Sequence, residues 1–351
     1  MRMISFQGEA TMGNKILGLA LMCAMTLQAP AAVRAGDVLT LNGAGATFPY
    51  PIYSKWFDEF RTVRPDVQIN YQSIGSGGGI RQITERTVDF GATDGPMTDK
   101  LLFKVDGKLH HIPTVLGAVV PVYNIAGTPD LQLTGGLLAD IYLGKVKRWD
   151  DPAVRKVNPE AKLPEVPITV IRRSDGSGTT FCFVDYLSKV SPEFEKTVGR
   201  GTAVNWPVGL GGKGNEGVAG LVKQTPNALG YVELIYAEQN GLSHAAVQNA
   251  EGKFVKGSVA GVTAAAAGSA KNMPKDYRVS ITNAPGAESY PISTFTWLLV
   301  YEKNSGTKGK VLNEFLRWML DSGQKLAPGL GYAPLPPAVA ASVQKTVTTI
   351  R

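Results

Sequence analysis

An α/β fold in two domains is what this sequence predicts, and three observations predict it. Short apolar runs alternate with helix-period patterns from Val38 onward, the signature of strands interleaved with helices rather than of a sandwich or a bundle. The 351 residues exceed what one core usually organises, since a domain takes roughly 100–200 residues. The composition, 44% hydrophobic and 19% charged with 40 Gly and 22 Pro, can bury a core and excludes disordered, collagenous and disulfide-scaffold chains.

The first 35 residues stand apart from that pattern. Lys15 precedes an apolar run over 16–27, and Ala29, Ala31, Ala32 and Ala35 follow, the order of a secretory signal peptide. The run is shorter than the ~20 residues a membrane-spanning helix needs. Met12 lies closer to Lys15 than Met1 does, so a start at Met12 is an alternative. Cys23 follows Met22 rather than a small residue, which argues against a lipid anchor. Soluble export is the expectation. Cleavage after Ala35 would leave 33 Lys+Arg against 28 Asp+Glu and one cysteine, Cys182. A lone thiol forms no intrachain disulfide, and between Phe181 and Phe183 it reads as an inert buried group rather than a nucleophile.

Residues 38–42 are expected as a strand, and Gly43-Ala44-Gly45-Ala46-Thr47 turns from it into a helix. Pro49 suits that helix's first turn, and Ile52, Tyr53, Trp56, Phe57 and Phe60 share one face. The pattern repeats with a strand over 67–71, a glycine turn over 75–79, a helix over 80–87, and 88–91 leading into Ala92-Thr93-Asp94. Residues 114–124 are apolar and β-branched, as in a buried strand, with Pro121 near the end. Residues 290–301 form a similar run, followed by a helix over 311–322. The two runs are candidates for paired crossovers. Between them lies a second α/β segment: 141–149, 168–173, a helix over 179–190, the glycine-rich 209–217, and 228–236. The alanine-rich 259–270 reads as a helix start and a surface loop, and no internal repeat is visible.

One local device recurs: strand, glycine-rich turn, then Ser or Thr at a helix start, at Thr47, Ser76 and Ser177/Thr179. Unpaired N–H groups and the helix dipole attract anions there, and glycine lets a ligand approach the main chain. An ordinary helix cap explains each one singly, but three together weaken that explanation. Arg172 and Arg173 immediately precede the third device and alternate sides at a strand end, so one faces the turn. Asp175 is close enough in sequence to orient it, and the clamp would grip an oxyanion. The bland alternative is a surface ion pair worth ~0–1 kcal/mol.

Asp94 is the odd member, because a carboxylate beside an anion site repels the ligand unless the ligand brings a proton. Hydrogen phosphate brings one and sulfate does not, so a buried acceptor would discriminate by a factor on the order of 10⁴–10⁵. A turn residue before Gly95-Pro96 is the other explanation for Asp94. The net charge of +7 is spread along the chain with no run of five basic residues, which speaks against nucleic acid and permits an anionic partner.

The whole of the chain after the leader resembles a periplasmic phosphate-binding protein, the substrate-capturing component of an ABC-type phosphate importer. Gly43-Ala44-Gly45-Ala46-Thr47-Phe48-Pro49, the segments 71–76, 87–94, 141–145 and 172–179, and Gly209-Leu210-Gly211-Gly212-Lys213-Gly214-Asn215 carry the resemblance. It implies phosphate held by Thr47, Phe48, Ser76, Asp94, Arg173, Ser177, Gly178 and Thr179, with backbone N–H groups of Thr47 and Phe48 contributing and Asp175 set against the arginine. It also implies a type II-like fold of two α/β lobes joined by two crossover strands, with the cleft between them. Lobe I would comprise 36–120 plus 291–351 and lobe II 121–290. A monomer in the periplasm, handing phosphate to membrane permease subunits without cofactor or metal, completes the expectation. Gly77, Thr93 and Thr180 depart from the family's usual residues without removing a ligand donor.

Other motifs carry less. Residues 209–214 match G-x-G-x-x-G with Glu233 about the expected ~20 residues on, but Trp206-Pro207 stands where a strand should run, and the P-loop pattern fails at Pro207 and Gly214. A secreted phosphatase would make Ser76 or Ser177 a nucleophile and needs a base. His110 and His111 are expected in a polar stretch before a strand and His244 in a loop. A receptor for sulfate, arsenate or a phosphonate is the alternative within the binding class.

Overall fold

In a computed structural model the described residues are 38–128, 130–268, 273–304 and 306–351. The expected signal peptide lies outside them. The described residues form one compact unit. β1 (Leu39–Gly45) leads into α1 (Tyr50–Val63), β2 (Val67–Ser73) into α2 (Ser76–Thr84), and β3 (Phe90–Thr93) into a single turn, α3 (Asp99–Leu102). The long β4 (Leu109–Tyr123) follows, then β5 (Gln132–Leu133), α4 (Gly135–Tyr142) and α5 (Pro152–Val157). β6 (Thr169–Arg173) runs into α6 (Gly178–Val190) and α7 (Pro192–Thr197); β7 (Leu210–Gly212) into α8 (Gly214–Gln224); β8 (Ala228–Glu233) into α9 (Leu234–Asn240). β9 (Ser243–His244), β10 (Ala246–Gln248), β11 (Phe254–Val255), α10 (Val259–Ala267), β12 (Ser293–Tyr301), α11 (Gly306–Asp321) and α12 (Pro337–Val347) complete the chain.

The main sheet has the order β2-β1-β3-β12-β4-β8-β6-β7, with β9 also on β4, and a small sheet joins β11, β10 and β5. β1, β2 and β3 are mutually parallel on one side, and β6, β7 and β8 on the other. β4 connects the two groups: residues 109–118 pair antiparallel with β12 and residues 119–123 with β8. Such a strand needs apolar side chains on both faces, and β4 is buried without interruption from Ile112. Its prolines sit where a missing donor is tolerated. Pro113 lies at the register slip opposite Thr296/Trp297, and Pro121 instead accepts a bond from Ala245 N–H.

The two parallel groups run in opposite senses along β4, so the turns that follow their strands face one another near its middle, about residues 113–119. α1 forms as its spacing predicts, with Ile52, Tyr53, Trp56 and Phe60 buried. Phe57 is only partly buried, packed tilted between Tyr71 and Phe315. Fully burying one such aromatic contributes about 1.5–3 kcal/mol, and Trp56 Nε1 satisfies its polar end on the Gly323 carbonyl at 2.8 Å. Cys182 is buried, and burial pushes its thiol pKa well up, as an inert group requires.

Several local expectations need correction. α2 starts at Ser76 rather than Ile80, because Gly75 at φ 87° turns the chain at once into the helix. Residues 259–267 make a complete helix. His110 and His111 are inside β4, and His244 is in β9, since strand pairing overrides the polarity of those short stretches. His110 Nε2 lies 3.0 Å from Glu302, and buried His111 accepts from Met97 N–H.

Candidate functional site

The turns after β1, β3 and β6, together with the starts of α2, α6 and α8, bring all eight sequence-predicted residues into one buried cluster. Thr47 and Phe48 follow β1, Ser76 opens α2, Asp94 follows β3, Arg173 ends β6, and Ser177, Gly178 and Thr179 begin α6. All the side chains among them are at most 3% exposed.

Only one of the three hydroxyl-bearing helix starts is a true cap. Ser177 caps α6, its Oγ accepting from Thr180 N–H at 2.9 Å. Thr47 lies two residues before the capping position of α1, which Pro49 occupies, and Gly75 occupies that of α2; neither helix has a side-chain cap bond. Their hydroxyls are engaged elsewhere. Ser76 Oγ accepts from Asp94 N–H at 3.2 Å and from Gly178 N–H at 3.1 Å. Thr47 Oγ1 accepts from Asn215 Nδ2 at 2.8 Å and Asn215 N at 3.2 Å. Both hydroxyls therefore have their acceptor capacity filled; Thr47 keeps its proton to donate, and that of Ser76 has only a long 3.5 Å bond to Asp94 Oδ2. Thr179 N–H, inside the first turn of α6, has no acceptor among the described residues.

Arg173 donates through Nε to Asp175 Oδ1 at 2.8 Å and through Nη2 to Asp175 Oδ2 at 2.5 Å. The remaining nitrogen, Nη1, is buried without a partner. A fork-on-fork grip fixes the guanidinium plane, and a buried cationic donor left over is costly unless an anion meets it. Burial would raise the Asp175 pKa, but the hydrogen bond and charge of Arg173, helped by Gly214 N–H at 3.1 Å, hold it below its ordinary value. Gly75 is required beside this pair, because a Cβ there would overlap the Asp175 carboxylate and its φ of 87° is left-handed.

Asp94 is 1% exposed. Its Oδ1 accepts from Thr296 Oγ1 at 2.9 Å, at the register slip between β4 and β12, while Oδ2 has only a long 3.5 Å contact from Ser76. Burial pushes its pKa up to about 7, against the opposing pull of Thr296, Arg173 and Ser76. The native chain then holds a proton between about pH 4 and 7 that the unfolded chain has lost, so Asp94's contribution to stability falls as pH rises through that window. Asp94→Asn in phosphate-stripped protein is expected to melt higher than the parent at pH 8 and alike at pH 4. Thermal melts at the two pH values check this, and equal differences at both would overturn it.

Gly178 lies directly over this acid: a Cβ there would stand 2.5 Å from Ser76 Oγ and 2.6 Å from Asp94 Oδ2. Gly178→Ala is expected to weaken anion binding by about 10- to 100-fold, the cost of forcing a methyl into a filled space. Titration calorimetry measures that loss, with circular dichroism to show the fold intact.

Two further residues escaped the sequence reading. Asn215, wholly buried at the start of α8, bridges Thr47 to Thr179, and Thr296 holds Asp94. Asn215 ends the segment 209–215 that carries the family resemblance, one residue past the dinucleotide match at 209–214, but it was not singled out as a site residue. Thr296 sits in an apolar run and gives no local signal. No group of His, Cys, Asp and Glu among the described residues is arranged to hold a metal, and no described helix is long and apolar enough to cross a membrane.

Strand order and the gathered turns define a member of the PBP superfamily, whose domain model matches residues 30–322. The chain is 45% identical over 307 residues to the phosphate-binding protein PstS of Xylella fastidiosa, covering 87% of this chain and 84% of that one. It is 46% identical to PstS of Pasteurella multocida, over 87% and 89% of the two chains. Among solved structures, a phosphate binding protein from Stenotrophomonas maltophilia superposes with a TM-score of 0.67 at 18% identity, over 87% and 93% of the chains. A putative phosphate ABC transporter substrate-binding protein with bound phosphate, from Clostridium perfringens, gives 0.60 at 20% identity, over 85% and 100%. Both carry the same fold. The chain belongs to the PstS family of phosphate-binding proteins.

Proposed function

We propose that this protein is an extracytoplasmic receptor that binds inorganic phosphate and delivers it to an ABC-type membrane permease. It binds without chemistry, as members of this family are receptors rather than enzymes. Export by the leader over 1–35, a periplasmic location and a monomeric state belong to the same reading. Phosphate sits between lobe I, 36–120 plus 291–351, and lobe II, 121–290. The division is supported by β4, whose partner changes from β12 to β8 after residue 118.

The ligands are Thr47, Phe48, Ser76 and Asp94 from lobe I, and Arg173, Ser177, Gly178 and Thr179 from lobe II, with Asp175 orienting Arg173. The observation that carries this is the pairing of an unpartnered buried Arg173 Nη1 with an acid whose Oδ2 has no close donor. A guest with oxyanion character and one proton of its own satisfies both groups. Direct bonds already span the lobes, Gly178 N–H to Ser76 Oγ and Gly77 N–H to the Gly176 carbonyl at 2.8 Å. Closure is thus shared between ligand and protein, and ligand shifts it by its differential affinity for the closed form.

The test is calorimetric titration of ligand-stripped protein with phosphate, arsenate and sulfate. Stoichiometric heat with phosphate and none with sulfate is expected. Preference for sulfate, or silence with phosphate, would reject the reading.

A further inference from the structure

The ligand set leaves one buried side chain at the centre of the site unassigned. Asn215 Nδ2 has two hydrogens, and both are used: one reaches Thr47 Oγ1 at 2.8 Å and the other Thr179 Oγ1 at 3.1 Å. Its backbone N–H goes to Thr47 Oγ1 as well, and its Oδ1 accepts from Glu233 N–H at 2.9 Å. Asn215 therefore has no donor left for an anion. What it does is occupy the oxygens of two hydroxyls that stand on opposite sides of the proposed cleft. Thr47 Oγ1, accepting two N–H bonds, can orient its own proton only away from Asn215, and Thr179 Oγ1 is constrained in the same sense. Tyr236, on α9, adds a third tie to the same residue, its hydroxyl donating to the Thr47 carbonyl at 2.5 Å. On the other side Tyr332 donates to the Phe48 carbonyl at 2.6 Å, so both carbonyls of this turn are capped.

We propose that Asn215, seconded by Tyr236, is a positioning residue that turns the hydroxyl protons of Thr47 and Thr179 onto the bound phosphate and ties the Thr47 turn to the second lobe. Neither side chain touches the ligand. The arrangement parallels that of Asp175 on Arg173: a neighbour consumes every competing bond, so the donor that remains is already aimed before the anion arrives. Preorganisation of this kind strengthens binding by removing the cost of ordering the donors. This inference rests on the phosphate reading above.

The experiment is phosphate titration of the parent, Asn215→Ala, Tyr236→Phe, Thr47→Val and the Asn215→Ala/Thr47→Val pair, all stripped of ligand. Asn215→Ala is expected to weaken phosphate binding by about 10- to 100-fold, the loss typical of a bond supporting a charged ligand. In the Thr47→Val background the same substitution is expected to cost at least about threefold less, because the hydroxyl it aims is gone. A merely structural asparagine would cost the same factor in both backgrounds, and that result, or unaltered affinity in Asn215→Ala, overturns the proposal. Should Asn215→Ala fail to fold, Tyr236→Phe keeps the ring and is expected to lose about threefold or more, with parental affinity as the overturning result. A parent that binds no phosphate refutes the receptor reading itself, and the positioning role falls with it; a parent that binds alongside indifferent variants refutes the positioning role alone.

Discussion

Arg173→Ala is expected to lower phosphate affinity by about 1000-fold, and Arg172→Ala by less than about tenfold. The Arg173 side chain is 1% exposed, two of its nitrogens are gripped by Asp175, and the third has no protein partner. Removing it leaves the Asp175 carboxylate without its cation and the anion without its counter-charge. Arg172 is only partly buried and gives Nη1 to the Arg173 carbonyl at 3.2 Å, a bond that braces the strand end. Arg173→Lys is expected to recover little, since an ammonium cannot grip Asp175 with two parallel bonds and still present a third donor. Calorimetric titration of the three variants measures the differences. Equal losses at Arg172 and Arg173 would remove the clamp from the account.

The second large effect concerns selectivity. Parent protein is expected to prefer phosphate over sulfate by a factor on the order of 10⁴–10⁵, because sulfate would set bare oxygen against the Asp94 carboxylate. Asp94→Asn replaces an acceptor with a group that also donates, so phosphate should weaken while sulfate strengthens. The ratio of the two dissociation constants is expected to collapse by at least about 100-fold. Competition titrations with both anions at one pH check this. An unchanged ratio would show that Asp94 does not read the ligand's proton and that selection arises elsewhere.

Much of the fold was legible because its signals are local. The helix over 50–63 follows from apolar spacing and Pro49, and an unbroken apolar run announced β4 from residue 114, though the strand itself starts at 109. The glycine-rich turns announced where strands stop. What failed was polarity without context: His110 and His111 look like loop residues, yet β12 and β4 pair straight through them. The start of α2 was misplaced because Ser76-Gly77-Gly78-Gly79 has poor helix propensity, which backbone bonds from Gly77 N–H to Gly176 and tight packing at Gly79 override. The site divides the same way. Asp175 lies two residues from the arginine it orients, and that proximity is visible in the chain. Thr296 lies 202 residues from Asp94, and Asn215 lies 168 from Thr47, and no local pattern reports such pairs.

By itself the chain determined which chemistry was available: three hydroxyl-bearing turns, one arginine with its aspartate, one isolated acid and, beyond the expected leader, one cysteine. Residue type and near spacing decide those things, since they depend on covalent neighbours alone. Tertiary structure decided which hydroxyls are caps and which keep a proton to give, which arginine nitrogen is left over, and that Asp94 is buried enough to titrate near 7. The physical reason is that donor direction and desolvation are set by groups brought together across the sheet, and those are distant in sequence.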